Sequence, residues 1–366
     1  MKVFFTGDIA FSKYFKDSAG DTGLLAEELL EFLRDSDHGI PNVEGALTDR
    51  VMVLGDAATP AHASDPKAAD RLLQMGGDIW NLSNNHTLDC DKEGLADTIT
   101  LAASKGCCTL GAGMNIKEAA EPVYCGNAGI FSICYKRSFK ADDHTPGNLQ
   151  WEDEEPIKAA IRAIKKKARW CILVAHGGEE FSDLPMPHAR EKYLRYLEWG
   201  ADIIVGHHPH VPQNYEQVGN KIIFYSLGNL IFDTDFQRIQ SHTDQGVLLK
   251  LDLQEDSFRW EARGYRIDRE RHRILPAALP AVFRPLSAEE YHRLIPLVAE
   301  RFWRNFKRAK TFLKPQLATA TPEEWRALYI RGQDLHAYDI MMEAIRRFPL
   351  QEWKNEPADL LQYLNE

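Results

Sequence analysis

The chain has 366 residues, of which 44% are hydrophobic and 27% are charged, and these are ordinary proportions for a globular protein. This length favours either one large α/β domain or a core domain with an appended region. The formal net charge of −10 opposes non-specific attraction to nucleic acid or to an anionic membrane, so neither is an expected partner.

Short apolar runs alternate with helix-like segments up to about residue 265, which predicts strands connected by helices. The first strand, Lys2–Thr6, ends at Gly7-Asp8. Its apolar run is shorter than the roughly 7–15 residue core of a signal peptide, so we expect a cytoplasmic protein. Further strands are predicted at Asp78–Leu82, Arg169–Ala175 and Ala201–Val205, and helices at Leu24–Leu33, after His86 and at Pro187–Trp199.

The later part of the chain changes from this alternation to hairpins and then to helices. Hairpins are predicted to pair Asn214–Val218 with Lys221–Tyr225, and Gly246–Leu253 with Phe258–Ile267. Ser287 and Glu290 have the spacing of a capping box before a helix that reaches Phe312, and a second helical region runs from Thr321 to about Phe348. We therefore predict a core at 1–268 and a mostly helical region at 269–366.

Two features of the whole chain narrow its class further. No segment approaches the roughly 18 consecutive apolar residues of a membrane helix, which argues against stable membrane insertion. The six cysteines have no paired metal-binding spacing, and most lie in apolar or strand-like segments, which favours structural thiols.

The predicted helix before Phe312 carries a basic face interleaved with aromatic residues. Such a face could contact an anionic polymer, but the solvated side of an amphipathic helix explains it more simply. Its basic members are Arg301, Arg304, Lys307, Arg308, Lys310 and Lys314.

Polar motifs follow the predicted strands, and ligands collect at the carboxyl ends of strands in open α/β sheets. Two-metal hydrolysis needs a bridging carboxylate, neutral nitrogen or oxygen ligands and a water of lowered pKa. The motifs supply these ligand types, and the candidate site residues are Asp8, Glu44, Asn85, His86, His176, His208 and His210.

The evidence for these candidates differs from residue to residue. The run His207-His208-Pro209-His210 concentrates three imidazoles in four residues and indicates a metal site by itself. Taken singly, Asp8 is also explained as a cap, Glu44 as a solvated loop residue and His176 as a hydrogen-bonded structural histidine.

Eight motifs together identify a family resemblance over roughly residues 1–268. They occur in the order found in the CapA family of poly-γ-glutamate capsule biosynthesis proteins, which resembles a branch of the calcineurin-like metallophosphoesterases. The motifs are Gly7-Asp8, Asn42-Val43-Glu44-Gly45, Asn84-Asn85-His86-Thr87-Leu88-Asp89, Gly94-Leu95, Gly111-Ala112-Gly113, His176-Gly177-Gly178-Glu179-Glu180, Gly206-His207-His208-Pro209-His210 and Tyr225-Ser226-Leu227-Gly228-Asn229.

The resemblance implies a fold, a cofactor and an activity. The fold is an α/β, four-layer α/β/β/α sandwich with a helical C-terminal extension. The cofactors are divalent metal ions, Mn, Fe or Zn, in two sites. The expected activity is phosphoesterase-type hydrolysis of an anionic small-molecule or polymer substrate, linked to surface polymer or polysaccharide synthesis.

The resemblance also implies a role for each matching residue. Asp8 and His210 would join the bridging Glu44 on the first metal, and Asn85, His176 and His208 would hold the second. His86 would be the catalytic histidine, oriented by Asp89.

Three residues depart from the wider phosphoesterase pattern, and one of them is the bridging Glu44, where that pattern has aspartate. Ala10 stands where that pattern has a further histidine ligand, which predicts a weaker first site. Thr87 stands where it has a carboxylate, so the orienting role is assigned to Asp89 instead.

The resemblance leaves a second function open, a non-catalytic accessory role in the assembly or export of an anionic capsule polymer. An accessory protein should keep its polymer affinity after Asn85→Ala or His86→Ala, whereas an enzyme should lose turnover with either change. The sequence does not indicate an oligomeric state.

Overall fold

A computed structural model of the chain describes residues 1–50, 62–135, 139–330 and 337–347. The strands are β1 Lys2–Ile9, β2 His38–Val43, β3 Ala46–Leu47, β4 Ala63–Ser64, β5 Ile79–Asn81, β6 Cys108–Leu110, β7 Ala112–Gly113, β8 Val123–Cys125, β9 Ala128–Cys134, β10 Gly147–Asn148, β11 Trp170–His176, β12 Ile203–His207, β13 Tyr215–Val218, β14 Lys221–Phe224, β15 Asn229–Ile231, β16 Gln245–Leu253, β17 Phe258–Asp268 and β18 Arg273–Ala277.

Helices connect and flank these strands. They are α1 Glu27–Arg34, α2 Ala68–Gln74, α3 Asp91–Ser104, α4 Ile116–Ala120, α5 Glu154–Lys167, α6 Pro187–Trp199, α7 Asp235–Arg238, α8 Ala288–Leu313, α9 Pro322–Ile330 and α10 Ala337–Arg347, with 3-10 helices at Lys13–Gly20 and Pro315–Thr319. The helix predicted at Pro187–Trp199 has the bounds that its pattern indicated.

The larger sheet has eight strands in the described part of the chain. Its order is β18-β17-β16-β1-β2-β5-β6, and β15 also pairs with β1. The strands β1, β2, β5, β6 and β15 are parallel to one another, whereas β16 is antiparallel to β1, and β17 and β18 continue the sheet as antiparallel pairs. The predicted hairpin after residue 245 is therefore present as β16 and β17.

The second sheet contains six strands in the order β13-β14-β12-β11-β9-β8. Its central strands β9, β11, β12 and β14 are parallel, and β13 pairs with β14 as the predicted antiparallel hairpin. All residues of β11 and β12 are buried. Their near-continuous apolar sequences suit parallel strands that are covered on both faces.

Three hydrophobic clusters hold the sheets and helices together. One contains Val3 and Phe5 of the larger sheet with Ile172 and Val174 of the second sheet, so the two sheets pack face to face. Another joins the larger sheet to residues of α1, α2 and α3, and the third joins the second sheet to residues of α5, α6 and α8. The chain is thus a mixed α/β fold with two principal sheets.

The C-terminal helices pack onto the second sheet through aromatic side chains. The Ser287 half of the predicted capping box is present, since the Glu290 amide donates to Ser287 Oγ at 3.0 Å, while the Glu290 carboxylate binds Arg284. Trp303 of α8 contacts Trp325 and Tyr329 of α9 at ring-centroid distances of 6.1 and 5.8 Å. The aromatic residues of the basic helix therefore face its neighbours, while Arg304 is exposed to solvent.

Parts of the helical prediction lie outside the described residues, namely 331–336, Phe348 and the side chain of Arg308. Within the described ranges, no helix combines the length and the apolar character needed to cross a membrane.

Candidate metal centre

A row of four buried polar residues crosses the larger sheet at the carboxyl ends of its parallel strands. Backbone pairing places Asn229, Asp8, Asn42 and Asn81 side by side on β15, β1, β2 and β5. Asn81 Nδ2 donates to Asn42 Oδ1 at 2.6 Å, and Asn42 Nδ2 donates to Asp8 Oδ1 at 2.7 Å. This chain of hydrogen bonds fixes the orientation of the Asp8 carboxylate.

Asp8 lies within β1, which continues to Ile9, although the sequence predicts that the strand ends at Gly7-Asp8. The extension arises because β15 pairs with this end of β1, and the Asp8 amide donates to Gly228 O at 2.9 Å. The close approach requires glycine at position 7, since a Cβ there would lie 2.3 Å from Gly228 O. Gly228 itself has a φ of +75°.

Close contacts with two histidines offset the cost of burying Asp8. Burial alone would raise its pKa, but His207 and His210 lower the pKa of this carboxyl well below its ordinary value. The contacts are His207 Nδ1 to Asp8 Oδ1 at 3.3 Å and His210 Nδ1 to Asp8 Oδ2 at 3.2 Å.

Glu44 follows β2 and is completely buried, yet neither of its carboxylate oxygens has a hydrogen-bond partner among the described residues. Its Oε1 lies 3.8 Å from His86 Nε2, 3.9 Å from His176 Nε2 and 3.9 Å from His210 Nε2. Burial raises the Glu44 pKa well above its ordinary value. A buried carboxylate without partners is costly, and a cation among these groups would satisfy it.

The histidines approach Glu44 from the second sheet. His176 ends β11 in register with His207 at the end of β12, and His208 and His210 follow in the next loop. His208 and His210 have φ values of +95° and +59°, which are strained for residues other than glycine. Such strain persists only where the surrounding structure enforces it, as at a functional site.

Protonation separates these histidines into two kinds. Burial lowers the pKa of His176 and His208 well below the ordinary value, so both are neutral imidazoles, the form that binds metal. Burial also opposes the charge on His210, but Glu44 and Asp8 outweigh it and raise the His210 pKa to about 10.

The ligand atoms form two overlapping groups. One contains Glu44, His208 and His210, the other contains Asp8, Glu44 and His176, and the atoms within each lie within 4.8 Å of one another. Glu44 belongs to both groups, which is the position that a bridging carboxylate would occupy. The sequence interpretation places His210 with Asp8 and His176 with His208, whereas in these groups His176 lies with Asp8 and His210 with His208. His210 also contacts Asp8.

Asn85, His86 and Asp89 complete this side of the cleft. Asn85 Oδ1 lies 2.8 Å from His176 Nε2, and His86 Nδ1 lies 2.6 Å from Asp89 Oδ2. Burial raises the Asp89 pKa to about 7, although the hydrogen bond from the His62 amide acts to lower it. Because Asp89 holds Nδ1, the other ring nitrogen of His86 points toward Glu44.

The structure also brings together residues that the sequence interpretation did not assign to the site. Asn42 and Asn229 belong to the quoted motifs and extend the polar row, and Asn229 Oδ1 contacts His210 Nδ1 at 2.9 Å. His207 belongs to the histidine-rich motif but is not among the candidate ligands, and it contacts Asp8. Asn81 and His62 carry no sequence signal, and the His62 ring lies 4.2 Å from the His86 ring, centroid to centroid.

The chain is similar to proteins of bacterial capsule synthesis. A family model described as "Bacterial capsule synthesis protein PGA_cap" matches residues 2–234. The chain is 30% identical over 246 residues to the PGA biosynthesis protein CapA of Bacillus subtilis (strain 168). The aligned region covers 64% of this chain and 64% of the relative. It therefore spans slightly less than two thirds of that relative's length.

Two further relatives extend the comparison. The capsule biosynthesis protein CapA of Bacillus anthracis is 29% identical over 275 residues, or 69% of this chain and 67% of the relative. A Mycobacterium tuberculosis (strain CDC 1551 / Oshkosh) protein named "Probable polyglutamine synthesis accessory protein" is 26% identical over 205 residues, or 52% of this chain and 53% of the relative.

Proposed function

We propose a function from one premise, that the chain belongs to the bacterial capsule synthesis family PGA_cap. In our proposal it is a metal-dependent hydrolase with phosphoesterase-type chemistry, acting on an anionic substrate in capsule or poly-glutamate biosynthesis. The observation that carries this proposal is Glu44, a fully buried carboxylate without hydrogen-bond partners among the described residues, shared by two groups of metal-ligand atoms.

The chemistry of the donor set fits divalent cations such as Mn, Fe or Zn, because it mixes imidazole, carboxylate and amide ligands. The residues that would hold them are Asp8, Glu44, Asn85, His176, His208 and His210. When bound, such cations polarise a phosphoryl oxygen and lower the pKa of water. The net charge of −10 does not attract an anionic substrate, so bound cations would supply the local positive charge that such a substrate needs.

The protein's own acid–base group in this proposal is His86. Asp89 accepts a hydrogen bond from His86 Nδ1 and so holds the ring in one tautomer and orientation. His86 Nε2, 3.8 Å from Glu44 Oε1, then faces the space between the ligands, where it stabilises negative charge on the leaving group of a phosphoester.

The finer structural and cellular predictions are also part of this proposal. The two face-to-face sheets with helices packed on their outer faces support a four-layer α/β/β/α arrangement. The division into 1–268 and 269–366 stays a prediction, and β18 at Arg273–Ala277 continues the larger sheet past that boundary. Cytoplasmic localisation remains a prediction that cell fractionation tests.

Metal analysis combined with a phosphoester screen tests the function. The native protein should hold divalent metal and release phosphate from at least one ester with Mn²⁺, Fe²⁺ or Zn²⁺ supplied. His208→Ala should lower metal content, whereas His86→Ala should keep the metal and lose roughly 100-fold or more in turnover.

The matched control for both variants is His144→Ala, which changes an exposed histidine outside the site and should leave both properties unchanged. Native protein without metal, or without turnover of any ester, contradicts the proposal.

The second candidate is the non-catalytic accessory role, which the printed name of the Mycobacterium tuberculosis relative favours. Asn85→Ala distinguishes the two functions. In an accessory protein this variant binds poly-glutamate with native affinity, and the native protein releases no phosphate.

A further inference from the structure

The segment from Gly177 to Met186, here called the 177–186 loop, connects the metal centre to the C-terminal helices. It follows the ligand His176 directly and leads into α6. Its backbone is tied to the histidine-rich loop, since the Gly177 amide donates to His207 O at 3.0 Å and the Phe181 amide donates to Pro209 O at 2.8 Å. A displacement of the 177–186 loop would therefore reach the segment that carries His208 and His210.

Phe181 forms the part of this loop that lies against the ligands. Its ring stacks on His210 with centroids 6.1 Å apart and an interplanar angle of 28°, and it also contacts Phe236 at 5.5 Å. The φ of Phe181 is +62°, a conformation that residues other than glycine rarely adopt. The loop must be held by its neighbours to keep this conformation.

Three residues of the C-terminal helices contact successive positions of the loop. Tyr329 OH donates to Glu179 Oε1 at 2.6 Å, and Arg301 forms an ion pair with Asp183. Tyr291 OH donates to Pro185 O at 3.0 Å. These contacts therefore lie near the start, the middle and the end of the loop.

The contact between Tyr329 and Glu179 is more deeply buried than the ion pair of Arg301 with Asp183, the other side-chain pair of the three. Tyr329 is 4% exposed and Glu179 is 3% exposed, and His188 Nε2 lies 3.1 Å from the same carboxylate oxygen. A hydrogen bond between two buried polar side chains is geometrically specific, and leaving either partner unpaired is costly. It can therefore hold the loop backbone near Phe181 in place.

We propose that the C-terminal helices position the 177–186 loop against His210, with Tyr329 as the principal positioning residue. These helices lie beyond the family match at residues 2–234, so this device is additional to the matched core. Its effect on cation affinity rests on the proposed function, whereas its effect on the order of the loop does not.

The test compares Tyr329→Phe with Tyr338→Phe. Both variants keep an aromatic ring in the same cluster, and the two rings lie 6.3 Å apart, but Tyr329 is the one whose hydroxyl contacts the loop. Hydrogen–deuterium exchange is followed in peptides that cover residues 177–186, and Mn²⁺ affinity is measured by titration calorimetry. Arg301→Gln removes a loop contact from a different helix and serves as a second variant.

Tyr329→Phe and Arg301→Gln should each raise amide exchange in the 177–186 loop and weaken Mn²⁺ binding roughly tenfold, as expected for loss of an outer support of a metal ligand. Tyr338→Phe should match the native protein in both measurements.

Unchanged loop exchange in Tyr329→Phe and Arg301→Gln overturns the inference, and so does a uniform rise across all peptides, which indicates a merely structural role. If native protein binds no Mn²⁺, the proposed function fails, but the exchange comparison still decides the positioning role.

Discussion

Replacing Glu44 by glutamine removes the carboxylate charge at the centre of the site and keeps the shape of the side chain. Glu44 belongs to both groups of ligand atoms, so a single substitution should weaken every cation in the centre. Mutation of a group that only orients a metal ligand lowers metal affinity by roughly 10- to 100-fold. Loss of a bridging carboxylate should reach at least the upper end of this range, and we take ~100-fold as the expected loss of affinity.

The corresponding shift in melting temperature follows from linkage. At a free Mn²⁺ concentration of 100 times Kd, binding stabilises the native protein by about 2.7 kcal/mol, whereas a ~100-fold weaker Glu44→Gln variant gains about 0.4 kcal/mol. An unfolding entropy of about 2.1 cal/mol/K per residue gives about 0.77 kcal/mol/K for 366 residues. The expected Tm increases are therefore about 3.5 °C and about 0.5 °C.

Differential scanning calorimetry with Mn²⁺ and with EDTA measures both values, with Glu180→Gln as the control. The charge of Glu180 acts on Glu44 and His210, but Glu180 belongs to neither ligand group. This variant should therefore keep the native increase in Tm with Mn²⁺. A native-sized Mn²⁺ shift in Glu44→Gln would refute the reasoning.

Two further predictions follow from shifted pKa values. Because Glu44 and Asp8 raise the His210 pKa to about 10, Mn²⁺ binding at pH 7 should release about one proton, and the affinity should increase with rising pH. Calorimetry in buffers of different ionisation enthalpy should show this release. Equal heats in all buffers would contradict it. Burial raises the Glu179 pKa to about 8, above the value of about 4.3 in the unfolded chain. As the pH rises from about 4.3 to 8, the unfolded chain loses this proton while the folded protein keeps it, so the free energy of unfolding falls. Glu179→Gln should gain stability relative to the parent across this range in denaturant unfolding, and parallel curves would exclude the assignment.

Local patterns in the sequence were sufficient to predict many elements of the fold. The helix at Pro187–Trp199 and the hairpin of β13 and β14 follow from apolar periodicity and from turn residues at Gly219-Asn220. The end of β1 could not be predicted this way. Its last residues are extended because β15, more than 200 positions later, pairs with them, and single-sequence patterns contain no such information.

The candidate site shows the same division between local and non-local information. Glu44 and His208 belong to recognisable motifs, and the structure brings them together with His210. Asn81 is different, because it acts through Asn42 on Asp8 and has no distinctive neighbours in the sequence. Its position becomes meaningful only when the register of β2 and β5 is known.

The pairing of Asp8 with the histidine-rich loop bears on how the protein is made. The His208 amide lies 3.4 Å from Asp8 Oδ2 across a separation of 200 residues. During synthesis Asp8, Glu44 and Asn85 leave the ribosome long before His208, and closing such long-range contacts is slow. The full ligand set therefore forms only after both sheets have docked, and under the proposed function a cation would enter a folded chain instead of directing its folding.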